Sequence, residues 1–421
     1  MALTDLERAA GLNPPITKDR PWLFGLLIAP MAVLSNGIIS GVLSYLLRKQ
    51  GVPIGRSSEI ISLLVLPQTI YFLWSPITDF WMPRRTWLIT GAVAAGLTMA
   101  AAFHGQRLDT PIAVALMFLS ACFGQLVVAS CGGIMGTLHR EESRRRASSA
   151  YQAGSLAFGA LAIFALAMLA ERMGMVTLGW ISAALIALPG FAALAVPRQT
   201  TIKEKGIKRT FSTIWHEFKL TFFRWRALPY TLLMLFPMGS GAAIGLLPGI
   251  AQDYHVSGEN MAWMNGLAGA LLTASGSLAA TLIPTRVSAS VSYLWVCVVN
   301  AATLLVLWLG PLTPATYLTG ATLYLFTIGT CYAMFTAVVL EFLGHSGKSG
   351  SGRYSIINSL GNVPVAYMTA VDGRGGKLWG ARGLAGTEAV VGAMGAAILL
   401  AYFLNRKRQD SAPLTAVIAS D

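Results

Sequence analysis

The chain contains 31 lysines and arginines, and none falls in the middle of an apolar run. The runs number about twelve, each near the ~20 residues that a helix needs to cross a bilayer core. They are read at 22–47, 57–81, 86–103, 110–136, 151–171, 176–196, 227–251, 260–283, 289–309, 314–343, 354–372 and 383–404. Of the 421 residues, 55% are hydrophobic and only 12% charged, where a soluble domain carries roughly 45–50% and about 25%. So few charges cannot cover a water-facing exterior of this size, and most of the surface must face lipid. The 43 glycines, with abundant Ala and Ser, suit helices that approach closely through small residues. The expected class is an all-α membrane protein with 12 transmembrane helices in two six-helix bundles.

Cytoplasmic loops of such proteins hold the excess of Lys and Arg. With the N-terminus inside, the inner segments carry 23 basic residues and the outer ones eight: Arg48, Lys49, Arg56, Arg107, Arg172, Arg374, Lys377 and Arg382. Both termini are expected on the cytoplasmic side of a cell inner membrane. The net charge of +13 is then a topology signal, and no nucleic-acid motif accompanies it. Residues 1–21 show no cleavable signal, so the first run is expected to serve as an uncleaved signal-anchor.

The one long connection, 197–226, falls between the sixth and seventh runs. It gives an expected order of cytoplasmic segment (1–21), six-helix bundle (22–196), linker (197–226), second six-helix bundle (227–404) and cytoplasmic tail (405–421). Within the linker, Phe211, Ile214, Trp215, Phe218 and Phe222 recur at helical spacing opposite Lys208, Arg209, His216 and Lys219. That pattern suits an amphipathic helix lying on the inner leaflet as a tether.

A charge at the edge of a long apolar span is costly unless paired or functional. Asp79 closes the second run, and Arg84 and Arg85 follow after a short turn. Such a pair at the membrane boundary can hold neighbouring helices in one arrangement, which is the work of a gate. Glu341 followed by His345 and Arg353 offers a mirrored arrangement in the second half. Glu59, Glu171, Asp372 and Glu388 lie near span ends, where solvent or a basic partner is within reach. Glu59 and Glu388 are the proton-coupling candidates, although a plain surface carboxylate is the simpler reading of either.

Polar groups deep within the runs mark a candidate cavity, because an unsatisfied amide in hydrocarbon costs several kcal/mol. Asn36, Gln68, Tyr71, Gln125, Tyr332, Asn358 and Asn362 are the preferred substrate contacts, with Asn265, Asn300 and Tyr367 as further buried polar groups. For any one of them, a hydrogen bond between helices is an equal alternative. No central Lys or Arg is present to bind a strongly anionic ligand, so a neutral or zwitterionic solute fits better.

Cys122, Cys131, Cys297 and Cys331 all fall in apolar runs with no metal-ligand spacing, and read as packing residues. No GxSxG, HExxH or Walker-type run is present, and Gly347-Lys348-Ser349-Gly350 lacks the spaced glycine and strand of a phosphate loop. No enzyme activity, cofactor or metal is expected.

Six plus six spans, a basic central loop and internal termini resemble the major facilitator superfamily, as does Ser75-x-x-x-Asp79…Arg84-Arg85, with serine where glycine is usual. Pro30-Met31 in span one and Pro237-Met238 in span seven give a faint echo of duplication. The resemblance implies two halves around a midplane cavity that rock to alternate access. Phe72-Leu73-Trp74-Ser75-Pro76-x-x-Asp79 looks like the second-helix signature of AmpG-like permeases, a group related to acetyl-coenzyme A transporters and siderophore importers. Gln125, and Arg140-Glu141-Glu142 ahead of Ala150-Tyr151-Gln152-Ala153-Gly154, sit where similar permeases have related patterns. This chain departs from that group in Tyr71, where lysine is usual, and in Leu126, Ser130 and Met135, where AmpG-type proteins carry acidic residues. What the resemblance implies is a monomeric secondary active importer of a small polar solute such as a siderophore, muropeptide or peptide, driven by protons. A passive facilitator, an exporter or a non-transporting sensor or scaffold stays open beside it.

Overall fold

The computed structural model describes residues 20–73, 77–78, 81–105, 107–136, 141–196, 212, 228–284, 286–344 and 359–410, with the side chains of 141–146, 148, 281, 340–344 and 406–410 outside the description. The linker helix expected around Phe211 to Phe222 therefore lies outside the described residues, apart from Ser212. Among the described residues there is no strand, and the helices fall into twelve segments.

In chain order these are α1 (Leu23–Lys49), α2 (Ile54–Ile70), α3 (Arg84–His104), α4 (Pro111–Gly136), α5 (Glu141–Ala170) and α6 (Met175–Ala195). The second half follows with α7 in two pieces (Leu228–Leu235 and Ala242–Ile250), α8 (258–282), α9 (Ala289–Leu309) and α10 (Pro314–Gly344). A continuous stretch, Val363–Asp410, contains α11 (363–378) and α12 (381–410), separated by a non-helical Trp379 and by Gly380 at φ 67°. Only glycine holds that backbone without strain, so the pair turns the chain back on itself.

Local sequence explains the departures from simple rods. α2 starts behind an extended Pro53 and gives way at Ile70 to a 3-10 turn over Tyr71–Leu73, short of the expected limit at 81. Trp81 adopts φ 64° and Pro83 is extended, so α3 starts afresh at Arg84. α7 was expected as one rod, but Pro237 lacks an N–H and Gly239 and Gly241 take φ of 56° and 75°, which breaks it over 236–241. The carbonyls freed there find phenols: Tyr367 Oη donates to Leu235 O at 2.7 Å and Tyr293 Oη to Met238 O at 3.2 Å. A broken helix at membrane depth is tolerated on just those terms. α1 winds more loosely over Ala32–Val42, a π-helical stretch that carries Asn36.

α1 is the most deeply enclosed span, with 83% of its apolar window buried. Large apolar side chains such as Ile112, Leu271, Leu282 and Leu309 are instead at least 70% exposed on the outer helices and form the lipid-facing surface. The two halves meet through α1 on α7, α2 on α11 and α5 on α8. Contacts of the first and third kind concentrate at the end that carries the α1–α2 loop. There Gly245 and Gly249 of α7 lie against Ser40 and Ser44 of α1, and Phe164 of α5 stacks on Trp263 of α8 with ring centroids 4.7 Å apart. α4 and α10 make no comparable contact with each other. The halves are thus clamped at one end, held along α2–α11 as far as Ser359 against Thr69, and separate along the α4–α10 side.

Candidate functional site

Charge fixes the clamped end. Arg48 at the end of α1 donates through Nη2 to Asp253 Oδ1 at 3.0 Å, across the two halves, and its Nε reaches Gly249 O at 3.3 Å. Beside it, Lys49 Nζ lies 3.3 Å from Glu171 Oε1 and donates to Ala170 O at 2.7 Å. The Tyr45 hydroxyl also donates to Glu171. That hydrogen bond, followed by Lys49, holds the Glu171 carboxyl below the usual carboxylate range. The backbone of Gly258 at the start of α8 packs over both Tyr45 and Glu171, where an added Cβ would push against the Tyr45 hydroxyl and the Glu171 carboxyl. α1, α5, α7 and α8 therefore share one polar clasp. The pair joins residues some 200 positions apart, and the sequence marks Arg48 as a basic residue at a span end but carries no signal that Asp253 is its partner.

The predicted substrate contacts separate into groups. Asn36 is exposed although most of α1 is enclosed, and its Nδ2 donates to Ser155 Oγ on α5 at 3.1 Å. Tyr332 on α10 is 40% exposed, and its hydroxyl end lies over Gly241 in the α7 break. Gln68 is half-buried and its amide donates to Ser35 Oγ on α1. Gln125 is buried, and its amide meets only the soft Sδ of Met31, at 3.9 Å; it belongs to the packing between α4 and α1. Tyr71 is buried and Asn362 half-buried, at the ends of α2 and α11 that Ser359 links by donating to Thr69 O at 2.7 Å. Asn358 lies outside the described residues. Of the further polar groups, Asn265 donates to Tyr317 Oη and Asn300 to Thr327 Oγ1, both within the second half.

Of the expected gate residues, Asp79 and Arg353 lie outside the described residues, and Glu341 is described in its backbone only. Arg84 donates to Gly133 O on α4 and Arg85 to Val196 O after α6, at 3.2 Å, so both arginines tie α3 into the first half.

The two proton-coupling candidates part company. Glu59 is exposed and pairs with Arg56 one helical turn away at 3.1 Å. Glu388 is not near solvent or a basic partner, contrary to the expectation from its place in the sequence. It is 5% exposed, and Asp372, completely buried, stands beside it. Ser240 in the α7 break donates to Glu388 Oε1 at 3.1 Å while accepting from Ala242 N at 3.1 Å. Apolar runs that end at 372 and resume at 383 put both carboxyls at the boundary. Instead α11 continues to 378 and the turn falls at Trp379-Gly380, so Asp372 and Glu388 each sit eight residues from Gly380, on facing helices. Gly375 and Gly383 let those helices touch, the backbone of one against the other.

A surface hollow of about 600 Å³ between the outer ends of α9 and α10 is lined by Leu305, Leu309, Pro311 and Thr316 and contains no charged group. It suits an acyl chain better than a polar solute.

Known proteins bear on this geometry at two levels. The sequence profile of the Major Facilitator Superfamily matches residues 25–366. No curated protein sequence matches the chain. Among solved structures, the nucleoside transporter NupG is similar at 12% identity and TM-score 0.68, covering 91% of this chain and 98% of its own. A D-xylose-proton symporter is similar at 13% identity and TM-score 0.69, over 90% and 96% of the two chains. A POT family transporter in complex with 5-aminolevulinic acid gives 11% identity and TM-score 0.71, over 90% and 95%. At such identities the likeness establishes the fold.

Proposed function

Because the chain belongs to the major facilitator superfamily, we propose that it is a secondary active transporter that imports a small polar solute by alternating access, driven by protons. The observation that carries this reading is the asymmetry of the junction. The halves are clasped at one end by Arg48–Asp253 and by close α1–α7 contacts, while α4 and α10 stand apart. A cavity between them would be reached from the opposite end, with Asn36 and Tyr332 on its walls. The basic bias of the loops assigns that open end to the cytoplasm, so the conformation is the inward-facing state of an inner-membrane protein. Asp79 with Arg84 and Arg85, and Glu341 with Arg353, are proposed as the clasp of the cytoplasmic end in the opposite state.

The AmpG-like second-helix signature favours a siderophore, muropeptide or peptide-like solute. The absence of a described Lys or Arg on the cavity side favours a neutral or zwitterionic one. The test is uptake by the purified protein in proteoliposomes, with and without an imposed pH gradient, over siderophores, muropeptides, short peptides, nucleosides and pentoses. Accumulation against a gradient that collapses with the pH difference supports the reading. Uptake that ignores the pH difference would make the protein a passive facilitator, and no flux of any kind would favour a sensor or scaffold.

A further inference from the structure

We propose that Asp372 on α11 and Glu388 on α12 bind one proton between them, forming a shared-proton site within the second half behind the broken α7. The inference rests on the transporter reading for its use, but on geometry for its existence.

Both carboxyls are more than nine-tenths buried, and neither meets a basic group among the described residues. Ionised together they would present acceptors only, and the structure shows the consequence. Among the described residues, both Asp372 oxygens and Glu388 Oε2 have no hydrogen-bond donor, and the one hydroxyl that donates to the pair is that of Ser240. A single proton on either carboxyl supplies the missing donor, removes one buried charge and turns like-charge repulsion into a hydrogen bond. A second feature points to the same occupant. The Tyr324 hydroxyl, on a completely buried side chain of α10, lies beside Glu388 without a partner of its own. It can donate to the carboxylate when the proton has left, and need not when the proton is present.

The titratable and charged groups that face the pair can be named element by element. From α10 come Tyr324, Cys331 and Tyr332, from α11 itself Tyr367, and from α9 Tyr293 and Cys297 behind Cys331. Arg382 on α12 is occupied by Gly310 O at 2.8 Å, and on α2 the nearest carboxyl, Glu59, is paired with Arg56 at the surface. Ser58 of α2 packs against Gly373, next to Asp372, so the site is sealed by the α2–α11 contact and by Ser240 of the α7 break. Ser58 lies one turn from the start of α2, beside the α1–α2 loop, so the first of these seals belongs to the clasped end, while Ser240 sits midway along α7. Opening the clasped end would therefore be the event that lets the proton exchange with water.

The test is an infrared pH titration of the full-length protein in lipid, which needs no solute. The expected result is a protonated-carboxyl band of one-proton amplitude near neutral pH, shifted in heavy water and lost in both Asp372→Asn and Glu388→Gln. Should either single variant fail to fold, the double variant Asp372→Asn/Glu388→Gln keeps the shape and restores donors, and must also lack the band. A wild-type spectrum without the band, or a band that survives in the variants, overturns the proposal. So does loss of the band, with a rise in melting temperature, on adding sodium, since the site would then be a metal-cation site. If the band behaves as expected while no solute in the panel is transported, it is the transport reading that fails and the proton site that stands.

Discussion

Arg48 Nη2 and Asp253 Oδ1 are 3.0 Å apart and belong to different halves of the molecule. Both side chains are roughly a quarter exposed, so the pair is screened only in part, and such a pair contributes on the order of 1 kcal/mol. That is a small share of folding stability but a large lever on a two-state equilibrium, about fivefold in population. Asp253→Asn is expected to move the population towards the state open at this end by about that factor, with no loss of fold. Arg48→Ala should move it further, because Arg48 also serves Gly249 O and Val52 O. The check is the reactivity of a cysteine placed at Ser44, whose hydroxyl is sealed in this state. Unchanged labelling in both variants would count against the clasp.

Packing at the same junction gives a stronger test. A Cβ added at Gly249 would meet Ser44 Cβ at 3.0 Å, tighter than ordinary contact. Gly249→Leu therefore cannot be housed while α1 and α7 are together, and is expected to hold this end open. Transport should fall at least tenfold, because a cycle that cannot close here cannot complete, while helix content and yield stay close to wild type. Wild-type turnover in Gly249→Leu would mean that the two helices need not approach so closely.

Much of this architecture was legible from the chain, and the parts that were not share a cause. Apolar run length fixes helices that must satisfy their own backbone in lipid, which is why α3, α4, α6 and α9 fall close to their expected limits. Run length carries no information about turns inside apolar sequence. The α11–α12 turn is built from Trp379 and Gly380 in a glycine-rich stretch that also carries Arg374, Lys377 and Arg382, and charges that close an apolar run in the sequence sit inside α11 in the fold, which moves Asp372 from the boundary to the interior. The α7 break was written in Pro237, Gly239 and Gly241, but one proline in a membrane helix is compatible with a kink as well as a break. The Arg48–Asp253 pair lay beyond reach for another reason: a single sequence does not say which of several span-end charges meet.

Acidity should loosen the clasp through Glu171. Its carboxyl is held below the ordinary range by the Tyr45 hydroxyl first and by Lys49 second. A depressed folded-state value means that the contribution is complete above the ordinary carboxylate range and fades as the pH falls through the lower, folded-state value. Melting temperatures of wild type and Glu171→Gln are expected to differ by a constant amount at neutral pH and to converge in acid. A difference that persisted to the lowest pH at which the fold survives would place the stabilisation elsewhere.

Asn36 and Gln125 are both amides in apolar helices, yet their surroundings assign them opposite roles. Gln125 is buried, and the hydrogen bond described for its amide goes to a thioether at 3.9 Å, a weak acceptor. Replacing it with a leucine of similar shape gives up only that weak hydrogen bond and keeps the packing, which is close to neutral. Gln125→Leu is therefore expected to hold the melting temperature and leave the KM for the transported solute unchanged. Asn36 is exposed on an enclosed helix and holds only Ser155, so its loss costs about 1 kcal/mol of stability at most. If it also lends its carbonyl oxygen to the solute, Asn36→Ala should raise KM about tenfold, while the maximal rate changes less. Tyr332→Phe, which removes a hydroxyl from the facing wall, should act in the same direction. A KM effect in Gln125→Leu with none in Asn36→Ala would reverse the assignment and put the solute on the α1–α4 side, away from the space between the halves.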